Sequence, residues 1–374
     1  MKRLARTAVL LALVAGVAAC GDDGDDDAQP GDAASGAPSS GEDVQEAASI
    51  DIGLSTSFNE GGATYMILAA QELGYFEDEN LDVEIVPGSG SGALVEQIVA
   101  GNMPVGTPSL GAVVEGLGAG LDLVNFYSLT YAFNFGVYVV EDSPIQDVAE
   151  LEGLTVGITE PGGGEVAVLS AALTGAGLEA ATDVGQLAIG TGDATTLKAI
   201  MDGTVDAYAS STVELNTLQV NGGLQLRNIL PASFRDLPSR GLITTTRLFE
   251  ERPDVLARLG RAVAKASLYC QHDPDTCVDF MKQAGPELWE ENDEGVSVGQ
   301  LVFDEAWRGT TVDDGATYGE HRTELYEQFK QIAAGEDDED WPVGRFLRDD
   351  LLEQINDFDR DAIISQATSS AGGS

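Results

Sequence analysis

Leu81-Asp82-Val83-Glu84-Ile85-Val86-Pro87-Gly88-Ser89-Gly90-Ser91-Gly92 alternates apolar and acidic residues, breaks at a proline, then runs through glycines and serines. Period-two alternation ended by a proline predicts a strand over 81–86 with one face buried. The small residues at 88–92 then open a helix predicted over 93–100. A strand, a small-polar loop and a helix form one unit of a mostly parallel sheet covered on both faces.

The same unit recurs in both directions. Upstream, 50–54 alternates and leads into the polar loop Ser55-Thr56-Ser57-Phe58-Asn59, and a helix over 63–73 is closed by Gly74. Downstream, 103–106 leads through Thr107-Pro108-Ser109 into an apolar helix over 110–117, followed by a β-rich run at 121–127. Strands are expected at 135–140, 155–158, 187–189, 205–209 and 242–246. Helices are expected at 166–173, 193–201, 213–220 and 253–269, with a helical turn at 147–151. Periodicity is lost over 226–238. The remainder is predicted helical at 276–283, 298–306, 319–334 and 343–358, with the acidic run 336–340 as a solvated loop. The scheme is α/β, with two units at 49–133 and 134–240. The chain returns to the first unit with one strand and a helical tail to 365, leaving 366–374 disordered. A second independent domain is the alternative to that return.

The N-terminus stands outside the fold. Lys2, Arg3 and Arg6 precede an apolar run from Ala8 to Ala19, the layout of an export signal and too short to span a bilayer. Val17-Ala18-Ala19-Cys20 resembles the lipobox of bacterial lipoproteins, which makes Cys20 the lipidation site; an ordinary signal peptide with a chance cysteine is the alternative. Residues 20–48, rich in Gly, Asp, Ser and Pro, are expected to form a hydrated tether.

Charge is the dominant compositional fact: 63 acidic against 19 basic residues, net −44. A phosphate backbone is held by Lys and Arg clusters, so nucleic-acid binding is excluded. No Lys or Arg occurs between Arg6 and Lys198. Self-repulsion on this scale is relieved by screening, consistent with a high-salt habitat. Of the three cysteines, Cys270 and Cys277 flank Gln-His-Asp-Pro-Asp-Thr and, in an exported chain, predict a local disulfide. With His272 they also offer three zinc ligands, but the fourth is missing. Neither a metal nor a cofactor is expected.

Residues 69–84, Ala-Ala-Gln-Glu-Leu-Gly-Tyr-Phe-Glu-Asp-Glu-Asn-Leu-Asp-Val-Glu, resemble a known phrase. It is found in the solute-binding proteins of ABC importers for nitrate, sulfonates, taurine and thiamine-pyrimidine precursors. Gly203-Thr204-Val205-Asp206-Ala207 matches that family's Gly-x-Val-Asp-Ala, and 242–256 resembles its return strand and Glu-x-x-Pro-Asp-Val helix start. Two departures stand out: Leu154 replaces a usual Lys, and Gly101-Asn102 replaces Gly-x-x-Asp-Val. The resemblance covers about 50–270. It implies a type II periplasmic binding protein, with two Rossmann-like lobes hinged near 131–136 and 237–242 and a ligand cleft between them. It also implies a monomer that delivers solute to an ABC permease and its ATPase.

In open parallel sheets ligands sit beyond the carboxyl ends of strands. That rule selects Ser57, Phe58, Asn59, Ser89, Gly90, Ser91, Gly92, Thr107 and Ser109 from the first lobe. From the second it selects Thr159, Glu160, Gly162, Gly163, Gly164, Ser210 and Ser211. Glycine-loop amides are expected to point at ligand oxygens, and Phe58, Tyr127, Tyr131 and Phe133 to offer an apolar wall. With so few bases, an anion would rest on amides, hydroxyls, Arg240 or Arg247. A neutral or cationic heterocycle therefore fits better than nitrate or a sulfonate, with Glu160 and Glu214 available to a cationic group. Enzyme chemistry finds little support: before 240 there is no histidine, the only lysine past the signal is Lys198, and no Gly-x-Ser-x-Gly elbow has a histidine partner. Gly88–Gly92 also lacks the Lys-Ser/Thr ending of a nucleotide loop. A ligand sensor of the same fold, working with a membrane signalling partner, is the alternative, and an enzyme of pyrimidine-precursor synthesis, as in a related branch of the family, is a minor one.

Overall fold

The computed structural model describes residues 46–56, 64–234, 236–310, 313, 315–334 and 343–371. The expected signal, Cys20 and nearly all of the expected tether lie outside these residues, as do Ser57, Phe58 and Asn59.

β1 (Ala48–Leu54) buries Ile50, Ile52 and Leu54 and pairs in parallel with β2 (Leu81–Val86), from Ala48↔Leu81 to Gly53↔Val86. Between them run α1 (Tyr65–Glu72) and the short α2 (Tyr75–Asp78), separated by Gly74 at φ +77°, the left-handed turn its missing Cβ permits. There follow α3 (Ser91–Val99), β3 (Val105–Thr107), α4 (Leu110–Gly118) and β4 (Val124–Thr130).

The chain then crosses to a second sheet. Its elements are β5 (Phe135–Val140), β6 (Thr155–Ile158), α5 (Gly164–Gly175), β7 (Gly185–Ala188), α6 (Ala194–Met201), β8 (Ala207–Ser211), α7 (Thr212–Val220) and β9 (Leu226–Asn228). It crosses back into β10 (Arg240–Thr244), which inserts antiparallel between β3 and β4. The two five-stranded sheets have the orders β2-β1-β3-β10-β4 and β7-β6-β8-β5-β9. A helical tail follows: α8 (Thr246–Glu251), α9 (Pro253–His272), α10 (Pro274–Ala284), α11 (Val298–Thr310), α12 (Thr323–Ala334), α13 (Val343–Phe346), α14 (Leu352–Ile355) and α15 (Arg360–Ala371).

The structure departs from sequence expectation in four places. The aperiodic stretch holds β9, an edge strand paired only with β5. The helix expected over 343–358 is broken, because Leu347 bridges Asn125 beside β4 and interrupts the helical ladder. Residues 366–371, expected disordered, belong to α15, which packs on α9 and buries Ala367 completely. Finally, the tail does not rest on the first lobe alone. α9 and α15 pack there, but α11 packs on α7, and α12 packs on both α4 and α5. Tyr326, Phe329 and Phe346 join one apolar core with Leu94 and Val113 of the first lobe and Val137 and Leu169 of the second.

Charge burial in the tail is compensated. Glu79, 5 % exposed, accepts from Arg261 Nε at 3.0 Å and Lys265 Nζ at 2.5 Å, and its carbonyl accepts from Arg258. Cys270 at the end of α9 is bridged to Cys277 in α10, with Cα atoms 5.7 Å apart.

Candidate solute cleft

Strand ends and helix starts from both sheets meet in a cavity of about 300 Å³. Ser55 and Thr56 follow β1, Gly88 to Gly90 lie between β2 and α3, and Ser91 opens α3. Thr159, Glu160, Gly163, Gly164 and Glu165 join β6 to α5, Thr191 follows β7, and Ser211 and Glu214 begin α7. Phe135 and Arg240 come from the strands that cross between sheets. The facing loops approach closely: a Cβ on Gly92 would lie 3.2 Å from the Gly162 carbonyl oxygen, and one on Gly90 would lie 2.9 Å from Glu160 Oε1. Beside the cavity, Gly111 of α4 gives the same proximity, its hypothetical Cβ falling 3.1 Å from the Gly164 carbonyl oxygen. Small residues are needed here because the two lobes are in backbone contact.

Arg240 is the cation of this cavity. It is 7 % exposed, and its Nη1 donates to Ser55 Oγ at 2.6 Å and the Thr107 carbonyl at 2.8 Å. Desolvation pushes its pKa down to about 10, with the negative charge of Glu214 acting the other way. Both acceptors are neutral. Three carboxylates of the second lobe line the same cavity. Glu165 is buried and accepts from Thr159 N and Oγ1; burial nevertheless raises its pKa above the usual carboxylate range, with Glu214 adding to the rise. Glu214 forms a capping box with Ser211 at the start of α7, and Glu160 is exposed.

Several expected residues sit elsewhere. Tyr131 donates to the Glu320 carbonyl, accepts from Arg322 N and lies under the Arg322 guanidinium, so it fastens the tail instead of walling the cleft. Tyr127 is buried in the first-lobe core. Ser210 is fully buried and donates to the Ser211 carbonyl, while the Ser211 hydroxyl is engaged with Glu214 and Val213 N. Thr107 and Ser109 are fully buried beside the cavity without lining it, and neither hydroxyl has a partner among the described residues. Gly92 and Gly162 meet each other across the lobe contact and do not line the cavity. Two loop amides expected to face a ligand are already used: Gly88 N donates to Thr56 O, and Gly90 N to Ser55 O at 2.6 Å. Arg247 pairs with Glu251 on an exposed helix turn. Conversely, Ser55, Thr56, Phe135, Glu165 and Thr191 line the cavity and were not singled out. The strand-end rule reaches Thr191 once the preceding strand is ended at Ala188.

Two α/β lobes linked by crossing strands, with a cleft at their facing strand ends, define a type II periplasmic binding protein. A model of the family described as NMT1/THI5 like matches residues 63–277, and the chain belongs to that family. Solved structures share the fold. A protein from Bordetella bronchiseptica RB50 superposes with a TM-score of 0.65 at 19 % identity, covering 82 % of this chain and 96 % of that one. The periplasmic nitrate-binding protein NrtA from Synechocystis PCC 6803 gives 0.60 at 15 %, covering 85 % and 91 %. The periplasmic aliphatic sulphonate binding protein SsuA from Escherichia coli gives 0.54 at 18 %, covering 76 % and 85 %. No curated protein matches the sequence. Among the described residues, no helix is long and apolar enough to cross a membrane.

Proposed function

We propose that this chain is the extracytoplasmic solute-binding component of an ABC import system, anchored through Cys20, that captures a small organic solute and passes it to the permease. The observation that carries this is the convergence of strand-end loops from both lobes on one cavity built around the buried guanidinium of Arg240. No reaction is assigned to the cavity: its lining holds no histidine, cysteine or lysine.

The electrostatics narrow the solute. A desolvated guanidinium favours an acceptor, best an anionic or strongly polar oxygen. The opposite wall carries Glu160, Glu165 and Glu214, which repel a second negative group and favour a cationic or hydrogen-donating one. A bipolar solute satisfies both walls. Taurine-like zwitterions and aminopyrimidine precursors have that character; nitrate carries no donor or cationic group to offer the carboxylates. Sequence alone favoured a neutral or cationic heterocycle, and the position of Arg240 adds the requirement for an acceptor group.

Isothermal titration with thermal shift tests this. Taurine and an aminomethylpyrimidine are expected to bind and stabilise the protein more than ethanesulfonate or nitrate. Binding by none of these classes would overturn the assignment.

A further inference from the structure

On the other side of the crossing strands lies a second cavity of about 310 Å³, which shares only Phe135 with the cleft. Its volume falls at the lower end of the range for small-molecule sites. Its apolar part is an aromatic nest: the Phe133 ring lies 5.9 Å from that of Phe234 and 6.1 Å, edge-on, from that of Phe135, with Leu230 beside them. Its polar part comes from α11. Glu305 and Arg308, three residues apart, stand on one helix face and both line the cavity. Burial pushes the Glu305 carboxyl above its ordinary pKa, with Thr212 and the charge of Arg308 acting the other way, yet no ion pair within 4 Å joins Glu305 to Arg308 among the described residues.

A half-buried carboxylate and a guanidinium held side by side without pairing, next to a cluster of rings, form a bipolar head site attached to an apolar pocket. We propose that this chamber is a second ligand site, distinct from the cleft, for a small aromatic zwitterion. The ring enters among Phe133, Phe234 and Leu230, the ammonium group meets Glu305, and the carboxylate meets Arg308. Each charge then gains an opposite partner, the half-buried Glu305 inside and the exposed Arg308 at the rim, which a singly charged solute supplies only by half.

The test is titration of the intact chain with L-phenylalanine, phenethylamine and 3-phenylpropionate. L-phenylalanine is expected to bind most tightly. Glu305→Gln should weaken L-phenylalanine and phenethylamine about tenfold or more and spare 3-phenylpropionate, and Arg308→Gln should weaken L-phenylalanine and 3-phenylpropionate and spare phenethylamine. Leu230→Trp, which fills the chamber, should abolish binding of all three, whereas Ser89→Trp, which fills the cleft, should leave it intact. The proposal is overturned by silence with all three probes, by indifference to both charge substitutions, or by loss in the Ser89 variant with retention in the Leu230 variant.

Discussion

Arg240 concentrates the chemistry of the cleft in one side chain. Its Nη1 donates to both Ser55 Oγ and the Thr107 carbonyl, leaving the other guanidinium nitrogens as further donors that a lysine's single ammonium lacks. Arg240→Lys is therefore expected to weaken the solute identified by titration roughly tenfold or more, in line with about 1.5–3 kcal/mol for a charged hydrogen bond; unchanged affinity would remove Arg240 from the site. Glu165 makes a prediction about pH. Burial raises its folded-state pKa, so its contribution to stability is full below the unfolded value and is lost as pH rises through the folded one. Glu165→Gln, permanently neutral and able to keep an acceptor toward Thr159 N, should melt above the wild type at pH 7–8, with the gap closing toward pH 4. A gap that is constant across that range would contradict the burial argument. In the sequence, Glu165 is one acidic residue among 63, and nothing local marks it as buried. Its role is set by Thr159, six positions earlier, which the loop before α5 folds back against it.

At the scale of elements, small residues decide where helices meet. Gly111 lets α4 approach α5 across the two lobes. Gly111→Val inserts methyl groups into that contact, against the Gly164 carbonyl and Ala167, and overpacking of this kind costs about 1–3 kcal/mol. If closure brings these helices together, affinity should fall about fivefold to a hundredfold while the thermal midpoint without solute changes little. A large drop in that midpoint with unchanged affinity would show that the contact is permanent. Strands and their loops were legible in the sequence because alternation and glycine punctuation are local signals, as at 81–92. The helix starts were read two residues late at Ser91 and Gly164, because the same glycines and serines that form the loop also form the first turn. The serines and threonines at strand ends were visible as candidates, but which of them face the cavity depends on strand register and capping. Ser211 illustrates this: the residue three positions on, Glu214, claims its hydroxyl.

For the whole molecule, the balance of 63 acidic to 19 basic residues sets the response to salt. Screening acts over about 10 Å at 0.1 M and shortens further above it. The thermal midpoint is expected to climb from low to molar sodium chloride; a flat profile would mean that the acidic surface is no burden to folding. The order of elements allowed either a return to the first unit or a second independent domain, and the structure places β10 between β3 and β4. The tail's attachment to both lobes was not legible in the sequence, because Tyr326, Phe329 and Phe346 show only an apolar face and not the surface it meets. That attachment limits closure to motions in which α12 keeps its contacts with both α4 and α5. The most direct measurement of the account is a crystal structure grown with a solute that titration shows to bind. Density is predicted in the 300 Å³ cavity within hydrogen-bonding distance of Arg240, with a donor or cationic group toward Glu160 or Glu214. An empty cavity in a crystal of the bound protein, or a solute seated away from Arg240, would contradict it.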